Sequence, residues 1–332
     1  MKTTIYDVAK AAGVSIATVS KVINGKGRIS EQTRKKVLQV IERLNYQPNV
    51  IASALTGKST YTIGLLIPDL ANPFFSELAR NIEDRGHELG YNLFICSTDY
   101  DPQKERNYVE LMKRKNVDGI ILASGFEQEN NLKALLEEQF PVSVVARDFP
   151  GLPVNTVCID DFHGGYEAAS HLIGLGHKKI AIIARNVRSN RERMRGYAQA
   201  MKDHRIHYDY PFEYVKESNV ASGKYVADKY LRSSDPPTAI FACNDLLAIG
   251  AIQAAKEHGL KVPEDLSIVG FDDTVFASIT EPPLTTVAQP IKKMGQEAMN
   301  VMINEIQGKA TDKLKIVLIP RLVVRNSTAE RK

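Results

Sequence analysis

From Ile63 to Phe271 the chain alternates short apolar runs with amphipathic helical segments. Such alternation predicts an α/β fold with parallel sheets and helices on both faces. The number of strand–helix units is larger than a single sheet usually contains, and the alternation of strands and helices is interrupted near residues 160–161. We therefore predict two doubly wound parallel-sheet subdomains side by side. The predicted strands are Ile63–Ile67, Leu93–Ser97, Gly119–Ala123, Val142–Ala146, Ile180–Ile183, Ala239–Ala242, Ser267–Phe271 and, near the C-terminus, Leu314–Leu318.

The N-terminal segment has a different pattern. Apolar side chains recur at i, i+3, i+4 and i+7 over residues 5–12, which predicts a helix, and Gly13 can adopt the positive φ that ends one. Ser15 is placed to cap a second helix, Ile16–Ile23. Two short helices joined by a three-residue turn form a helix-turn-helix, a motif whose second helix enters the DNA major groove.

The apolar residues of the second helix divide it into two faces. Val19, Val22 and Ile23 are predicted to face the first helix, so Ile16, Ala17, Ser20 and Lys21 point outward. That outward face is small or polar and lacks the Glu/Lys pairs of a solvated helix, which favours DNA contact over the alternative of two ordinary core helices. A third helix, from Ser30 to about Asn45, is predicted to turn Val37, Leu38, Ile41 and Leu44 inward.

Charge is unevenly distributed along the chain. The whole chain has a formal net charge of +4, but residues 1–60 contain ten Lys or Arg against three Asp or Glu. The first 60 residues therefore have a charge of +7 and the other 272 a charge of −3. A basic small domain is the electrostatic signature expected for contact with phosphates, so we predict double-stranded DNA as a partner.

These N-terminal motifs resemble those of the lactose/galactose repressor (LacI/GalR) family, and the resemblance extends over nearly the whole chain, most closely to a DegA-like, Bacillus-type branch. The matching residues are Tyr6-Asp7-Val8-Ala9, Gly13-Val14-Ser15, Thr18-Val19-Ser20 and Val22-Ile23-Asn24, followed by Ser30, Thr33, Arg34, Val37, Leu44, Tyr46, Pro48 and Asn49.

The resemblance implies a ligand-responsive transcriptional regulator that binds a pseudo-palindromic operator as a homodimer. It implies a helix-turn-helix headpiece followed by a core resembling type I periplasmic binding proteins, with a small-molecule effector (a sugar, sugar acid or phosphorylated metabolite) between the subdomains. The expected boundaries are 1–48 for the headpiece, 49–60 for a hinge helix or linker, 61–160 with 290–317 for the core N-subdomain, and 161–289 with 318–332 for the core C-subdomain.

The family pattern assigns DNA contacts to the headpiece and to the hinge. The residues so assigned are Thr4, Ser15, Ile16, Ala17, Thr18, Ser20, Lys21, Asn24, Asn49, Ala52 and Leu55. Leu55 matches the apolar wedge that opens the central base step in the minor groove. The alternative for 49–60 is an ordinary flexible linker. Lys21 replaces the usual Arg, which removes the planar fork that matches guanine.

Four of the expected effector contacts follow the carboxyl ends of predicted strands, where parallel sheets bind ligands, and Arg193 is expected from its match to the family's effector-binding arginine. The residues are Phe74, Phe75, Arg193, Asn244 and Asp272. For the two Phe, a purely structural role at a helix start is the alternative. Arg opposite Asp can hold a hydroxyl-rich or carboxylate-bearing ligand through charge-assisted hydrogen bonds.

Three departures from the family pattern leave the effector open. Ala146 replaces an acid that many relatives have, and Ser218 stands where sugar and purine binders place an aromatic residue. The segment 185–191 is unusually basic. This favours an anionic effector or, equally, an exposed charged loop.

Other classes of protein fit the sequence less well. A solute-binding protein of a transport system would need a secretion signal, but Asp7 and Lys10 interrupt any apolar N-terminal run, so we expect a cytoplasmic protein. The three cysteines, Cys96, Cys158 and Cys243, are odd in number and lie in apolar runs, as buried reduced thiols do. We find no nucleophile elbow, metal-spaced cluster or phosphate loop, and therefore expect no enzyme activity, metal or cofactor.

Overall fold

The structure is a computed structural model that describes residues 3–23, 27, 29–46, 59–126, 128–207, 212, 214–309 and 312–331. The chain divides into two compact units, residues 1–60 and 61–332. Each is described separately. No helix within the described ranges is long and apolar enough to span a membrane.

The first unit is a bundle of three helices, α1 (Ile5–Ala12), α2 (Ile16–Ile23) and α3 (Glu31–Arg43). Most of the residues predicted to face inward on α1 and α2 are buried in its core, and Ile23 packs against that core partly buried. The buried residues are Val8, Ala9, Ala12, Val19, Val22, Val37, Val40 and Tyr46. One prediction for α3 is wrong, because Leu38 is exposed and Val40 is buried instead. Val37 and Val40 lie three residues apart on one face, and Leu38 lies outside that stripe.

The second unit begins with a six-stranded parallel sheet in the order β10-β5-β4-β3-β1-β2. Its strands are β1 (Thr62–Ile67), β2 (Asn92–Ser97), β3 (Gly119–Ala123), β4 (Val142–Val145), β5 (Asn155–Ile159) and β10 (Lys315–Leu318). Its helices are α4 (Pro73–Glu88), α5 (Pro102–Arg114), α6 (Glu129–Glu137) and α12 (Ile291–Ile306). Strands β1, β3 and β4 are almost completely buried, as expected where helices cover both faces of a parallel sheet.

The second sheet has the order β11-β9-β8-β7-β6. Its strands are β6 (Ile180–Ile183), β7 (Ala239–Ala242), β8 (Ser267–Asp272), β9 (Thr285–Ala288) and β11 (Arg321–Val323). Its helices are α7 (Asp161–Gly174), α8 (Arg188–Asp203), α9 (Val220–Leu231), α10 (Asp245–Glu257) and α11 (Val275–Ile279). The prediction of two parallel sheets is confirmed, except that the edge strand β11 pairs antiparallel with β9.

The chain crosses between the sheets three times within the second unit. The crossings follow β5 at Ile159, β9 at Ala288 and β10 at Leu318. Leu318 still pairs with Ile159 in the first sheet, so the last crossing begins after it.

Strand β5 was absent from the predicted set, because its sequence Asn-Thr-Val-Cys-Ile is not a continuous apolar run. All five residues are nevertheless buried between β4 and β10. The Asn155 amide donates to Glu305 Oε2 at 2.8 Å and its oxygen accepts from Leu314 N at 2.7 Å. These long-range hydrogen bonds allow polar residues inside a sheet and cannot be inferred from local patterning.

Candidate functional site

The outward face of α2 is the first candidate site. Ile16 is 39% exposed, and Ala17 and Lys21 are also exposed, while Val19 on the opposite face is fully buried. Thr18 and Ser20 are half-buried at the borders of this face. Ile16 leaves apolar side-chain surface exposed to water on a small headpiece. This surface of the helix is suited to packing against another molecule.

Two of the expected DNA-contact residues also cap helices. The Asp7 N–H donates to Thr4 Oγ1 while the Thr4 N–H donates to Asp7 Oδ2 at 2.8 Å, which completes a capping box at α1. The hydrogen bond from Thr4 lowers the pKa of Asp7. Ser15 Oγ accepts from the Thr18 N–H at 3.1 Å, as expected for the cap of α2. Asn24, Asn49, Ala52 and Leu55 lie outside the described residues.

The second candidate site is a cleft between the carboxyl ends of the two sheets. All five expected effector contacts, Phe74, Phe75, Arg193, Asn244 and Asp272, line this one cavity. They come from the segments after β1, β7 and β8 and from α8, so distant parts of the sequence converge there.

Arg193 is the most constrained side chain of the cleft and is only 6% exposed. Its Nε donates to Asp161 Oδ1 at 2.8 Å and its Nη1 to the Cys243 carbonyl at 2.6 Å. Asp272 Oδ1 lies 3.8 Å from Nη1, and the guanidinium lies 3.5 Å from the centroid of the Phe271 ring. A buried guanidinium with this many partners is held in one orientation.

Two glycines let α7 and α8 approach closely enough to place Arg193. A Cβ on Gly165 would lie 2.0 Å from the Arg193 carbonyl oxygen, and a Cβ on Gly196 would lie 2.0 Å from the Phe162 carbonyl oxygen. No other residue type fits at this backbone contact. The position of the arginine therefore depends on a helix–helix contact as well as on its own partners.

The acids around Arg193 are not equivalent. Burial raises the pKa of Asp272 to about 8, despite the opposing effect of Arg193, and Asp245 nearby raises it further. Burial also raises the pKa of Asp161, while Arg193 opposes this shift. Because Asp161 lies closer to the guanidinium than Asp272, Asp161 is the better counter-ion and Asp272 the better proton donor. The cleft therefore offers hydrogen-bond donors and acceptors without a large net charge.

The remaining expected contacts have structural roles as well. Asn244 caps α10 by accepting from the Leu247 N–H at 2.8 Å. Phe74 and Phe75 pack edge to face with ring centroids 5.1 Å apart and belong to the largest apolar cluster, yet both line the cleft. The two interpretations of these Phe residues are thus compatible in this fold.

Left-handed backbone conformations concentrate at the carboxyl edges of the strands. Among residues that line the cleft, Tyr100 has φ 58°, Ser124 69°, Ala146 62° and Asp272 113°. Such conformations cost free energy for residues other than glycine and tend to occur at functional sites. They turn the chain sharply after β2, β3, β4 and β8, so that these residues border the cleft.

The cavity also contains residues that the sequence did not single out as effector contacts. Tyr100, Asn190 and Gln289 line it, as does Arg185, which sequence reasoning placed only in a basic segment. Gln289 Nε2 donates to Asp272 Oδ1 at 2.7 Å. Tyr100 and Gln289 follow strands β2 and β9, so their position at a carboxyl end was an available signal once those strands were known.

Comparison with known proteins gives matches for both parts of the chain. Residues 4–49 match the family described as bacterial regulatory proteins, lacI family, and residues 169–328 match the periplasmic binding protein-like domain. The chain is 52% identical to the HTH-type transcriptional regulator DegA of Bacillus subtilis (strain 168), over 99% of each protein.

Two solved structures share the fold. The lac repressor dimer bound to operator and the anti-inducer ONPF superposes with a TM-score of 0.89 at 30% identity, covering 99% of this chain and 100% of that one. The transcriptional regulator CelR in complex with cellobiose gives a TM-score of 0.75 at 30% identity, covering 98% and 100%. These relatives are regulators rather than enzymes, and their similarity spans headpiece and core alike. The chain belongs to the LacI family of bacterial transcriptional regulators.

Proposed function

We propose that this protein binds a pseudo-palindromic DNA operator as a homodimer and that a small molecule in the core cleft controls this binding. Two copies of α2 would enter successive major grooves about 10 bp apart. Ile16 and Ala17 would pack on thymine methyl groups, and Lys21 would donate to a base edge or phosphate. The observation that carries the proposal is the exposure of these three side chains on a headpiece whose other α2 face is buried.

The test is selection of bound sequences from a random DNA library, repeated at several salt concentrations. We expect one enriched palindrome and an affinity that falls steeply with salt as counterions are released. The double variant Ile16→Tyr with Ala17→Gln should select a different sequence while unfolding at the same temperature. If both proteins enrich the same sequence, the assignment of α2 as the recognition helix is wrong.

The core would act as the sensor. A sugar, sugar acid or phosphorylated metabolite would be held by Phe74, Phe75, Arg193, Asn244 and Asp272, and closure of the two subdomains would control DNA binding by the headpiece. The three crossings after Ile159, Ala288 and Leu318 support this, because three connections near one line can act as a hinge. The proposed subdomains are 61–160 with 290–317, and 161–289 with 318–332, except that Leu318 belongs to the first of them because it pairs with Ile159.

Dimer formation is supported by an exposed apolar face on α11. Val275 is 62% exposed and Ile279 is 68% exposed, although they lie on a five-residue helix against the core. Sedimentation of the full chain should give a dimer, and replacing both residues by Asp should give monomers. We place the protein in the cytoplasm, where its DNA target is.

A further inference from the structure

The basic segment 185–191 divides into three different environments in the fold. Arg188 lies 3.8 Å from Asp148 in a neighbouring cavity, and Arg191 is exposed and donates to Asn186. Arg185 instead lines the ligand cleft. Its guanidinium lies 3.6 Å from the centroid of the Tyr100 ring, and within the described residues no carboxylate lies within ion-pair distance of it. One arginine of the segment is thus held at the cleft without a counter-ion.

Helix α8 begins at the same place. It has 16 residues, its N-cap residue Val187 has no side-chain oxygen to accept from the first turn, and the first turn contains no acidic residue. The backbone N–H groups at a helix N-terminus have no partner within the helix, and the helix dipole favours negative charge there. Ser189 and Asn190 of this turn line the cleft.

Asn190 gives independent support for a ligand at this position. The residue is only 5% exposed, it lines the cavity, and its side chain makes no hydrogen bond to any part of the chain that the structure describes. A side chain this buried that lines a cleft without a hydrogen-bond partner in the described chain can bind a polar group of a ligand there. Its NH₂ group can donate to an oxygen held at the helix terminus.

These groups lie at a different end of the cleft from Asp272. Arg185 follows β6, the edge strand of its sheet, whereas Asp272 ends β8, two strands away. Strands lie about 4.8 Å apart, so the two ends are separated by about 10 Å. This distance allows one small ligand to place a charged group near Arg185 and hydroxyl groups near Asp272.

We propose that the β6 end of the cleft is an anion subsite, formed by Arg185, the Asn190 amide and the N-terminus of α8, and that the effector is a small polar molecule with a phosphate or carboxylate group. The proposal rests on the proposed function of the cleft as the effector site. It selects the anionic members of the effector class over neutral sugars. Arg193 does not serve this role, because Asp161 already neutralises it.

The experiment measures thermal unfolding of the full chain in inorganic phosphate and in sodium chloride of equal ionic strength. We expect phosphate to raise the melting temperature of the core by about 2 °C relative to chloride when the site is nearly saturated. Arg185→Gln and Asn190→Leu should each abolish most of this difference. Phosphate also stabilises proteins by exclusion from their surface, so the quantity compared is the difference between variant and parent.

Arg188→Gln is the matched control, because Arg188 belongs to the same segment but faces the neighbouring cavity. It should keep the full phosphate effect. If phosphate stabilises no more than chloride, if Arg185→Gln keeps the effect, or if Arg188→Gln loses it, the anion subsite is wrong. Replacing phosphate by acetate in the same series distinguishes the two anions, since the larger arginine-dependent shift identifies the group that the site prefers.

The same preparations should be tested for selective binding to the enriched operator in the absence of ligand. Selective DNA binding together with a missing phosphate effect would overturn the anion subsite alone. Loss of selective DNA binding by the parent protein would instead contradict the proposed function.

Discussion

The α2 face and the cleft end of α8 both present functional side chains from the first turns of a helix, but in opposite ways. On α2, Ile16, Ala17 and Lys21 project from the surface of a small bundle. On α8, Arg193 is buried and bonded to Asp161 and to the backbone of Cys243. We therefore expect that the proposed DNA face can change without loss of the fold, whereas the cleft residues contribute to stability as well as to the proposed ligand binding.

This difference agrees with the two proposed functions, DNA recognition by α2 and small-molecule binding in the cleft. A DNA-recognition surface must be fully accessible to a large rigid partner, and the side chains that project from it determine its sequence specificity. A cleft for a small molecule must orient a few polar groups with little freedom, which requires burial and many partners. The predictions below test whether function and stability are really linked in the cleft and separate on α2.

The largest effect is expected for Arg193→Met. The variant leaves Asp161 and Asp272 buried without a cation, which should lower the free energy of unfolding of the core by about 3–5 kcal/mol. Chemical denaturation of the full chain measures this. Arg195→Met is the control, since Arg195 lies on the same helix, is exposed and forms a surface ion pair with Glu192; its cost should be below about 1 kcal/mol. Equal losses of stability for the two variants would contradict the proposed link between function and stability in the cleft.

Gly165→Ala should have the next largest effect. The added Cβ would overlap the Arg193 carbonyl oxygen and force α7 away from α8, at a cost of about 1–3 kcal/mol. At Gly174, at the other end of α7, an added Cβ would meet no other atom within 4 Å. Gly174→Ala should therefore leave the stability of the protein unchanged or raise it slightly. Thermal unfolding of both variants compares the two positions. A stable Gly165→Ala protein would show that the close contact is not needed.

The smallest effect, when taken over a single pH unit, concerns Asp272. Its pKa is about 8 in the folded protein and about 3.9 in an unfolded chain, so between these values the folded state retains a proton that the unfolded state has released. The free energy of unfolding should therefore fall as pH rises towards 8. The slope due to this group is at most about 1.4 kcal/mol per pH unit.

Asp272→Asn provides the comparison, because it keeps the oxygen that accepts from Gln289 and cannot ionise. The difference in unfolding free energy between parent and variant should change steadily between about pH 4 and about pH 8 and be flat outside that range. Denaturant titrations at several pH values measure it. A constant difference would mean that Asp272 is already ionised beside Arg193.

The sequence predicted much of the candidate site. Phe74, Phe75, Arg193, Asn244 and Asp272 all reach one cavity, because each follows a strand whose carboxyl end borders the cleft or lies on the adjoining helix. Tyr100, Asn190 and Gln289 were missed, and Arg185 was left as one member of a basic run. Their importance arises from neighbours far along the chain: Tyr100 meets Arg185 across the cleft. No local pattern contains that pairing.

Local chemistry by itself determined the three headpiece helices, most strands and the alternation that defines the fold class, because apolar periodicity, caps and turns act over a few residues. Only the tertiary structure decided that Leu38 faces outward, that the polar segment Asn155–Ile159 is a buried strand, and which of three neighbouring arginines enters the cleft. Those outcomes depend on partners far along the chain or on competition for one small core. Burial and pairing of this kind exist only once the whole chain has folded.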